Sequence, residues 1–259
     1  MGIGSSVALA LAAAFAVIVL TFGIARWRGR YDTIDSAWGA GFAVIAVTGF
    51  ATEPRGIGSA LVVTVLTAVW GLRLSAHIHL RNSAHGEDRR YREMYARARS
   101  RPQLRMFARV YLTQAAVMWF VSLPVVAAQH QPDSFGVLGV LGVAVWCVGF
   151  AFEAIGDEQL RRFKADPANA GEVLDTGLWR YTRHPNYFGD ACVWWGLYLI
   201  AAQHLPGALA VLSPLLMTWL LARGSGKPIT ERHLAGNRPG YADYVARTSG
   251  FFPLPPKKR

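Results

Sequence analysis

The sequence predicts an all-α, polytopic integral membrane fold, and three observations carry that expectation. Hydrophobic residues make up 53% of the 259-residue chain and charged ones only 17%, against about 25% charged in soluble domains. The apolar residues gather into runs of roughly 20, the length a helix needs to cross a bilayer. Nearly all Lys and Arg then fall between the runs, on alternate connections, as the positive-inside rule requires of cytoplasmic loops. This composition excludes a disordered chain and disfavours an ordinary soluble enzyme.

The runs follow in order. Ile3–Ala25 carries no charge and is stopped by Arg26, Arg28 and Arg30. A cleaved signal peptide has its positive charges before the apolar core, so this reads as an uncleaved first span. Ser36–Thr52 is the second, ended by Glu53-Pro54-Arg55. The third runs from Gly56 through Leu72 and past Arg73 to about Leu80, the fourth over Val110–Gln131 and the fifth over Ser134–Phe152. Ala191–Ala222 is uncharged for 32 residues, too long for one span. Gln203-His204-Leu205-Pro206-Gly207 breaks it, giving spans over about Asn186–Ala202 and Pro206–Ala222.

With seven spans, the three Arg after the first, the nine in 81–109, the five Lys/Arg in 161–183 and the eight in 223–259 share one side, leaving Arg55 alone opposite. The expectation is therefore an outside N-terminus and a cytoplasmic C-terminus. The net charge of +11 and pI near 10.2 would point to nucleic acid in a soluble protein. Here they have a topological explanation, so the expected partners are membrane lipids and no nucleic acid. The oligomeric state is not legible. Cys147 and Cys192 lie singly in apolar runs, with no CxxC motif and no expected metal site. Gly136, Gly139 and Gly142 recur every third residue, as close helix packing demands.

Charge inside a span is costly and marks candidate function. Asp35 opens the second span. Arg73, His77 and Arg81 share one face of the third; they either meet an anionic ligand or acid, or snorkel to the interface. Glu153, Asp157 and Arg161 form a similar ladder, which a solvated helix end with i,i+4 pairing would also produce. Arg81-Asn82-Ser83-Ala84-His85-Gly86-Glu87-Asp88-Arg89-Arg90-Tyr91 could hold phosphates with Arg and a ribose with Glu or Asp, or simply attract anionic lipid. Arg92, Arg97, Arg99, Arg101, Arg105 and Arg109 fit the lipid reading. Gly224-Ser225-Gly226-Lys227-Pro228 lacks the spacing of a phosphate loop.

The most specific segment is Gly177-Leu178-Trp179-Arg180-Tyr181-Thr182-Arg183-His184-Pro185-Asn186-Tyr187-Phe188-Gly189-Asp190. Pro185 suits the first turn of a helix and pushes His184 out of the helical region. The new N-terminus offers free N–H groups to an anion, and Arg180 and Arg183 add charge-assisted donors. Asn186 can pair with a carboxamide, and Tyr187 and Trp179 can stack on a ring.

Arg-His-Pro-Asn-Tyr-Phe-Gly-Asp, followed by an apolar span, Arg-Pro-Gly-Tyr-Ala-Asp-Tyr (238–244) and Phe252-Pro253, resembles the C-terminal region of the steroid 5-alpha-reductase and sterol reductase superfamily. Gly-Glu-Asp-Arg-Arg-Tyr (86–91) and Trp70-Gly71-Leu72-Arg73-Leu74 make the chain similar to its bacterial DUF1295 branch. The resemblance covers roughly 30–256 and is strongest over 153–256. It implies a seven-helix protein of the bacterial inner membrane that uses NADPH to reduce an activated C=C bond, as in an enone, of a steroid-like or other lipid substrate. One membrane domain (1–259) is implied, with 1–130 on the lipid-substrate side and 134–256 as the cofactor region. The implied cofactor residues are Arg73, Arg81, Asn82, Asp88, Asp157, Arg161, Arg180, Arg183, His184, Asn186, Tyr187, Asp190, Glu231 and Tyr244. The family's Gln-Glu pair is missing from 36–52. Asp35 is the nearest acid and Trp70 stands at the family's Tyr position, so these two are the catalytic candidates. Arg-His-Pro with a tail Tyr-x-x-Tyr also resembles the isoprenylcysteine carboxyl methyltransferases, which use S-adenosylmethionine. The many Arg residues favour a phosphate-bearing cofactor.

Overall fold

The computed structural model describes residues 2–52, 58–98, 100–132 and 135–257, the side chains of His233 and Asn237 excepted. Glu53-Pro54-Arg55, Arg99, Ser134 and two of the basic residues of the tail (258 and 259) lie outside the described residues. The helices are α1 (Ile3–Arg28), α2 (Thr33–Thr52), α3 (Ser59–Ser83), α4 (Arg89–Ala96), α5 (Pro102–Met106), α6 (Leu112–Val121), α7 (Leu123–Gln129), α8 (Val137–Ala165), α9 (Pro185–Ala201), α10 (Leu205–Ala208), α11 (Leu212–Ala222), α12 (Lys227–Asn237) and α13 (Tyr241–Arg247). A π-helical turn, Phe107–Tyr111, joins α5 to α6. No strand occurs among the described residues.

Among the described residues, six helical stretches are long and apolar enough to cross a membrane: Ile3–Arg28, Thr33–Thr52, Ser59–Ser83, Pro102–Gln129, Val137–Ala165 and Leu205–Gly236. The protein is thus an all-helical integral membrane protein. The break expected near 203 is present: α9 ends at Ala201 after 17 residues, His204 is extended, and Pro206 sits in the first turn of α10.

Two boundaries differ from the apolar runs. The fourth stretch begins at Pro102, taking in Arg105 and Arg109, because Pro is pre-set for a first helical position. α8 continues past Phe152 to Ala165. It stops where Pro167 disfavours helix at Asp166, whose carboxylate accepts from Ala168 N–H at 2.9 Å. A helix ends where its backbone finds other partners, not where apolar residues run out.

The chain divides into two compact units, Met1–Gly139 with Ile200–Ser213, and Val140–Leu199 with Pro214–Arg259. In the first, α2 and α3 touch backbone to backbone: a Cβ on Gly71 would strike the Gly39 carbonyl, and one on Gly39 the Gly71 carbonyl. Such small-residue crossings are how membrane helices approach closely. Trp70 is fully buried, edge-to-face on Phe42 at 5.6 Å. Gln129, also buried, donates to Ala46 O at 2.7 Å and Thr64 Oγ1 at 2.9 Å, tying α7 to α2 and α3. Gly136 and Gly139 pack against Gln203.

In the second unit, α8 and α9 cross on glycine. Gly149 and Gly189 face each other, and Gly196 faces Gly142 and Trp146, so the glycine of the three-residue series that lies in this unit serves helix packing. The chain after α13 folds back as an extended strap beside 181–184. Arg183 N–H donates to Ser249 O at 2.9 Å, Leu254 N–H to Tyr181 O at 3.0 Å and Thr182 Oγ1 to Phe251 O at 2.9 Å.

Candidate functional site

In the second unit, the Arg-His-Pro-Asn-Tyr segment lies where the strap, α12 and the start of α9 meet. Its backbone is fixed first. Trp179 is buried with its indole N–H on Gly156 O at 3.1 Å, and Tyr244 donates to Trp179 O at 2.6 Å. Gly240 supplies the left-handed turn (φ 78°) that opens α13, a conformation glycine adopts without cost. Burial pushes the Tyr244 phenol well up from its ordinary pKa. The hydroxyl of Tyr244 is therefore a structural tie.

Arg183 is 9% exposed. Its Nε donates to Glu231 Oε1 at 2.8 Å, and its Nη1 to Thr248 O at 2.5 Å and Val245 O at 3.3 Å. His184 Nε2 lies 3.2 Å from the same Glu231 oxygen. Burial lowers the His184 pKa, and the attraction of Glu231 only partly opposes it, so the ring is neutral near pH 7. Tyr187 stacks on His184, centroids 5.1 Å apart and planes 1° from parallel, and its hydroxyl lies 3.2 Å from Thr230 Oγ1. Asn186 Nδ2 donates to the buried Asp157 at 3.1 Å. Asp190 is buried as well.

So the structure brings Arg183, His184, Asn186, Tyr187, Asp157 and Glu231 into one connected set. Arg180 is exposed beside it. Arg161 is an exposed side chain paired with Glu158 at 2.6 Å. The i,i+4 pairing expected with Asp157 is replaced by this i,i+3 pair, because Asp157 is turned inward to Asn186.

The first unit holds a second cluster, around the start of α2. Tyr91 is buried on α4 and donates to Asp35 Oδ1 at 2.5 Å, while Arg90 reaches Asp35 Oδ2 at 3.4 Å. Burial, and then the Asp35 charge, hold the Tyr91 phenol far above its usual pKa. Asp88 caps α4 by accepting from Arg90 N–H at 2.8 Å. Burial pulls its carboxyl up, but the side-chain and backbone hydrogen bonds of Arg90 outweigh that and hold it low. Asp32, buried, takes both Nε and Nη2 of Arg30 at 3.1 and 2.7 Å and Asp88 N–H at 3.2 Å. Glu87 accepts from Tyr31 N–H at 2.5 Å. Arg30 also reaches Asn82 O at 3.0 Å, and Arg81, exposed, donates to Asn82 Oδ1 at 3.2 Å. In the segment 81–91, which could hold ribose and phosphates or attract anionic lipid, the Glu87 carboxylate and the Asp88 N–H are used on the turn between α1 and α2, and the Asp88 carboxylate on Arg90.

Arg73 is half-buried on α3. Trp70, expected to offer its indole to a substrate carbonyl, is instead enclosed between α2 and α3. Sequence reasoning missed Asp32, and it named Arg90 and Tyr91 within the segment 81–91 without their pairing to Asp35. Asp35 and Tyr91 are 56 positions apart and carry no local signal of pairing; only the N-cap at Asp88 was readable, from an Asp placed directly before a helical stretch.

Residues 21–248 match a protein family described as "Protein of unknown function (DUF1295)". The chain is also 21% identical over 268 aligned residues to "Uncharacterized protein C594.04c" of Schizosaccharomyces pombe, covering 90% of this chain and 75% of that one. No solved structure matches. Because the family match runs from within α1 to the end of α13, with both clusters inside it, the chain belongs to the DUF1295 family.

Proposed function

We propose that the protein is an NADPH-dependent membrane reductase acting on an activated C=C bond of a steroid-like or other lipid, with seven spans, α9 among them, and a cytoplasmic C-terminus in a bacterial inner membrane. The observation that supports it most is the second-unit cluster. The Tyr187 ring, stacked on the buried His184, stands at the N-terminus of α9, and the Arg183 guanidinium joins the same set through Glu231, a mixture of ring surface and anion donors that suits a phosphorylated dinucleotide. Lys227 and Arg183 also converge on the bare Cα of Gly250, adding positive charge beside the cluster.

Bound NADPH would supply a hydride to the β-carbon of an enone. The chain's part is to hold and to handle protons. Glu231 fixes Arg183 and orients His184, and Asp157 fixes the Asn186 amide. Reduction of an enone builds negative charge on its carbonyl oxygen, which needs a donor, and ends with a proton on the α-carbon. In the first unit the Tyr91 hydroxyl donates to Asp35, and Asp35 is the proposed proton-handling residue.

Thermal melting of the purified protein with NADPH and with S-adenosylmethionine tests the reading. NADPH should raise the midpoint and S-adenosylmethionine should not; the reverse would make the protein a methyltransferase. Loss of NADPH absorbance with a panel of enones then identifies the substrate class.

A further inference from the structure

The basic segment from α4 to the start of α6 has no part in the reductase reading, and its arginines divide into two kinds. On α4 the charges are answered. Arg89 and Arg97 both pair with Glu93, at 2.5 and 2.9 Å, and Arg90 pairs with Asp88 at 3.0 Å. Around α5 they are not. Arg101, Arg105 and Arg109 are all exposed, and none has a carboxylate partner among the described residues. Arg105 reaches the neutral Ser100 Oγ at 3.4 Å.

The backbone sets this row. Pro102 bars Arg101 from the right-handed helical region, and Arg101 takes the left-handed one (φ 46°) as the N-cap of α5, a conformation that costs a non-glycine residue energy. Arg105 and Arg109 follow at successive turns. The π-helical turn Phe107–Tyr111 takes more residues per turn than an α-helix, so Arg109 stays beneath Arg105 instead of rotating past it. The opposite face is anchored: Met106 and Tyr111 are buried, and Phe107 and Tyr111 pack on Phe22 of α1 at 4.9 and 5.0 Å. Leu104, 55% exposed, and the exposed Ala108 lie among the arginines on the outward face. From 101 to 109 the row runs roughly 12 Å at helical rise, and 105 and 109 lie in the opening turns of a stretch apolar enough to cross a membrane. Like charges one turn apart repel each other. Membrane topology asks for basic residues near the boundary, but not for three together without an acid.

We propose that Arg101, Arg105 and Arg109 bind an anionic phospholipid carrying two phosphates on one headgroup, the diphosphatidylglycerol class. Basic clusters at the membrane boundary attract anionic headgroups, and the guanidinium fork suits phosphate oxygens. One phosphate engages one or two of these forks; two phosphates on a short linker reach the whole row. Leu104 and Ala108 then meet the glycerol and the first methylenes, and the apolar stretch that follows accompanies the acyl chains. A phosphate free in water gains nothing from that apolar continuation, so the occupant is a lipid. The site lies within the first unit, uses none of the dinucleotide residues, and stands or falls apart from the reductase reading.

The test is titration of the full-length protein in neutral detergent, read as adducts by native mass spectrometry, with tetraoleoyl diphosphatidylglycerol, dioleoyl phosphatidylglycerol at equal phosphate, and inorganic pyrophosphate. Wild type should bind the two-phosphate lipid about tenfold or more tightly than the one-phosphate lipid. Arg105→Gln combined with Arg109→Gln should weaken that binding about 25-fold, a factor of about five for each basic side chain at an anionic surface. Arg105→Lys combined with Arg109→Lys keeps the charges and should retain most of the affinity. Arg89→Gln combined with Arg92→Gln removes as much charge from α4 and should change it by no more than about twofold, long-range attraction being screened by salt. Equal wild-type affinity for the two lipids overturns the two-phosphate site, and so does an equal loss in the α4 pair. Pyrophosphate binding as tightly as the lipid overturns the lipid as its occupant. The wild-type comparison of the three ligands decides the matter even where a variant fails to fold.

Discussion

Around the start of α2, Asp32, Asp35, Glu87 and Asp88 meet Arg30 and Arg90, and every carboxylate receives a hydrogen bond from side chain or backbone within the same unit. Around Arg183 the balance is reversed: Arg183 and Lys227 approach each other with Glu231 as the carboxylate between the arginine and His184. The first arrangement is closed, since its donors and acceptors consume one another, and it fixes the turn between α1 and α2 against the loop before α4. The second keeps donors in reserve. A buried polar group left unsatisfied costs more than a hydrogen bond gains, which is why the closed cluster can hold the turn it lies on.

Four measurements break or sharpen this contrast. Arg183→Ala should have the largest effect. It strips Glu231 of its main partner and leaves Thr248 O and Val245 O without a donor, a loss of about 3–5 kcal/mol as for other broken buried pairs, read by denaturant or thermal unfolding in detergent. Stability within 1 kcal/mol of wild type would show that the second cluster does not hold its unit together.

Tyr91→Phe should cost about 1.5–3 kcal/mol, the range for hydrogen bonds to charged groups. It also carries a pH signature. The unfolded phenol ionises near pH 10, while the folded one keeps its proton to higher pH. The contribution of Tyr91 is therefore complete below about pH 10 and fades as pH rises toward the folded value. Wild-type stability should fall across that alkaline window more steeply than that of Tyr91→Phe. Parallel curves would remove Tyr91 from the closed network.

Gly71→Ala comes next, about 1–3 kcal/mol from overpacking against Gly39, because the new methyl meets backbone that cannot turn aside. It should perturb the Asp35 end of the first unit while NADPH affinity stays within about twofold of wild type. Arg161→Ala should change neither melting nor dinucleotide binding measurably, its exposed pair with Glu158 being screened by water. A loss of NADPH affinity there would extend the cofactor cluster along α8.

The membrane architecture was legible because apolar runs report helix length directly. α1, α2, α3, the start of α8 and the break before α10 appear within a few residues of the runs that announce them. The short helices α4 and α5 were not, since Arg92–Arg109 reads as a basic surface, and helix formation there depends on the Asp88 cap and Pro102. Of the candidate site, the Arg-His-Pro-Asn-Tyr segment was legible because its residue types are rare together and close in sequence. What those residues touch was not. Glu231 and Asp157 lie 48 and 29 positions from Arg183 and Asn186, and Tyr91 56 from Asp35. No periodicity encodes such pairings. Trp70 was singled out by its position, and the structure adds that its indole is buried edge-to-face on Phe42.

The strap that closes over Thr182 and Arg183 comes from residues 248–254, which a ribosome makes after every hydrophobic helix described above. Insertion into the bilayer therefore precedes completion of the packing around Arg183. A polypeptide cut short near position 247 would enter the membrane with its helices in order yet lack the carbonyls of Thr248, Ser249 and Phe251 that grip that segment. Such a truncated product should be inserted yet loosened around Arg183, so the stretch after α13 acts as the clasp of its unit.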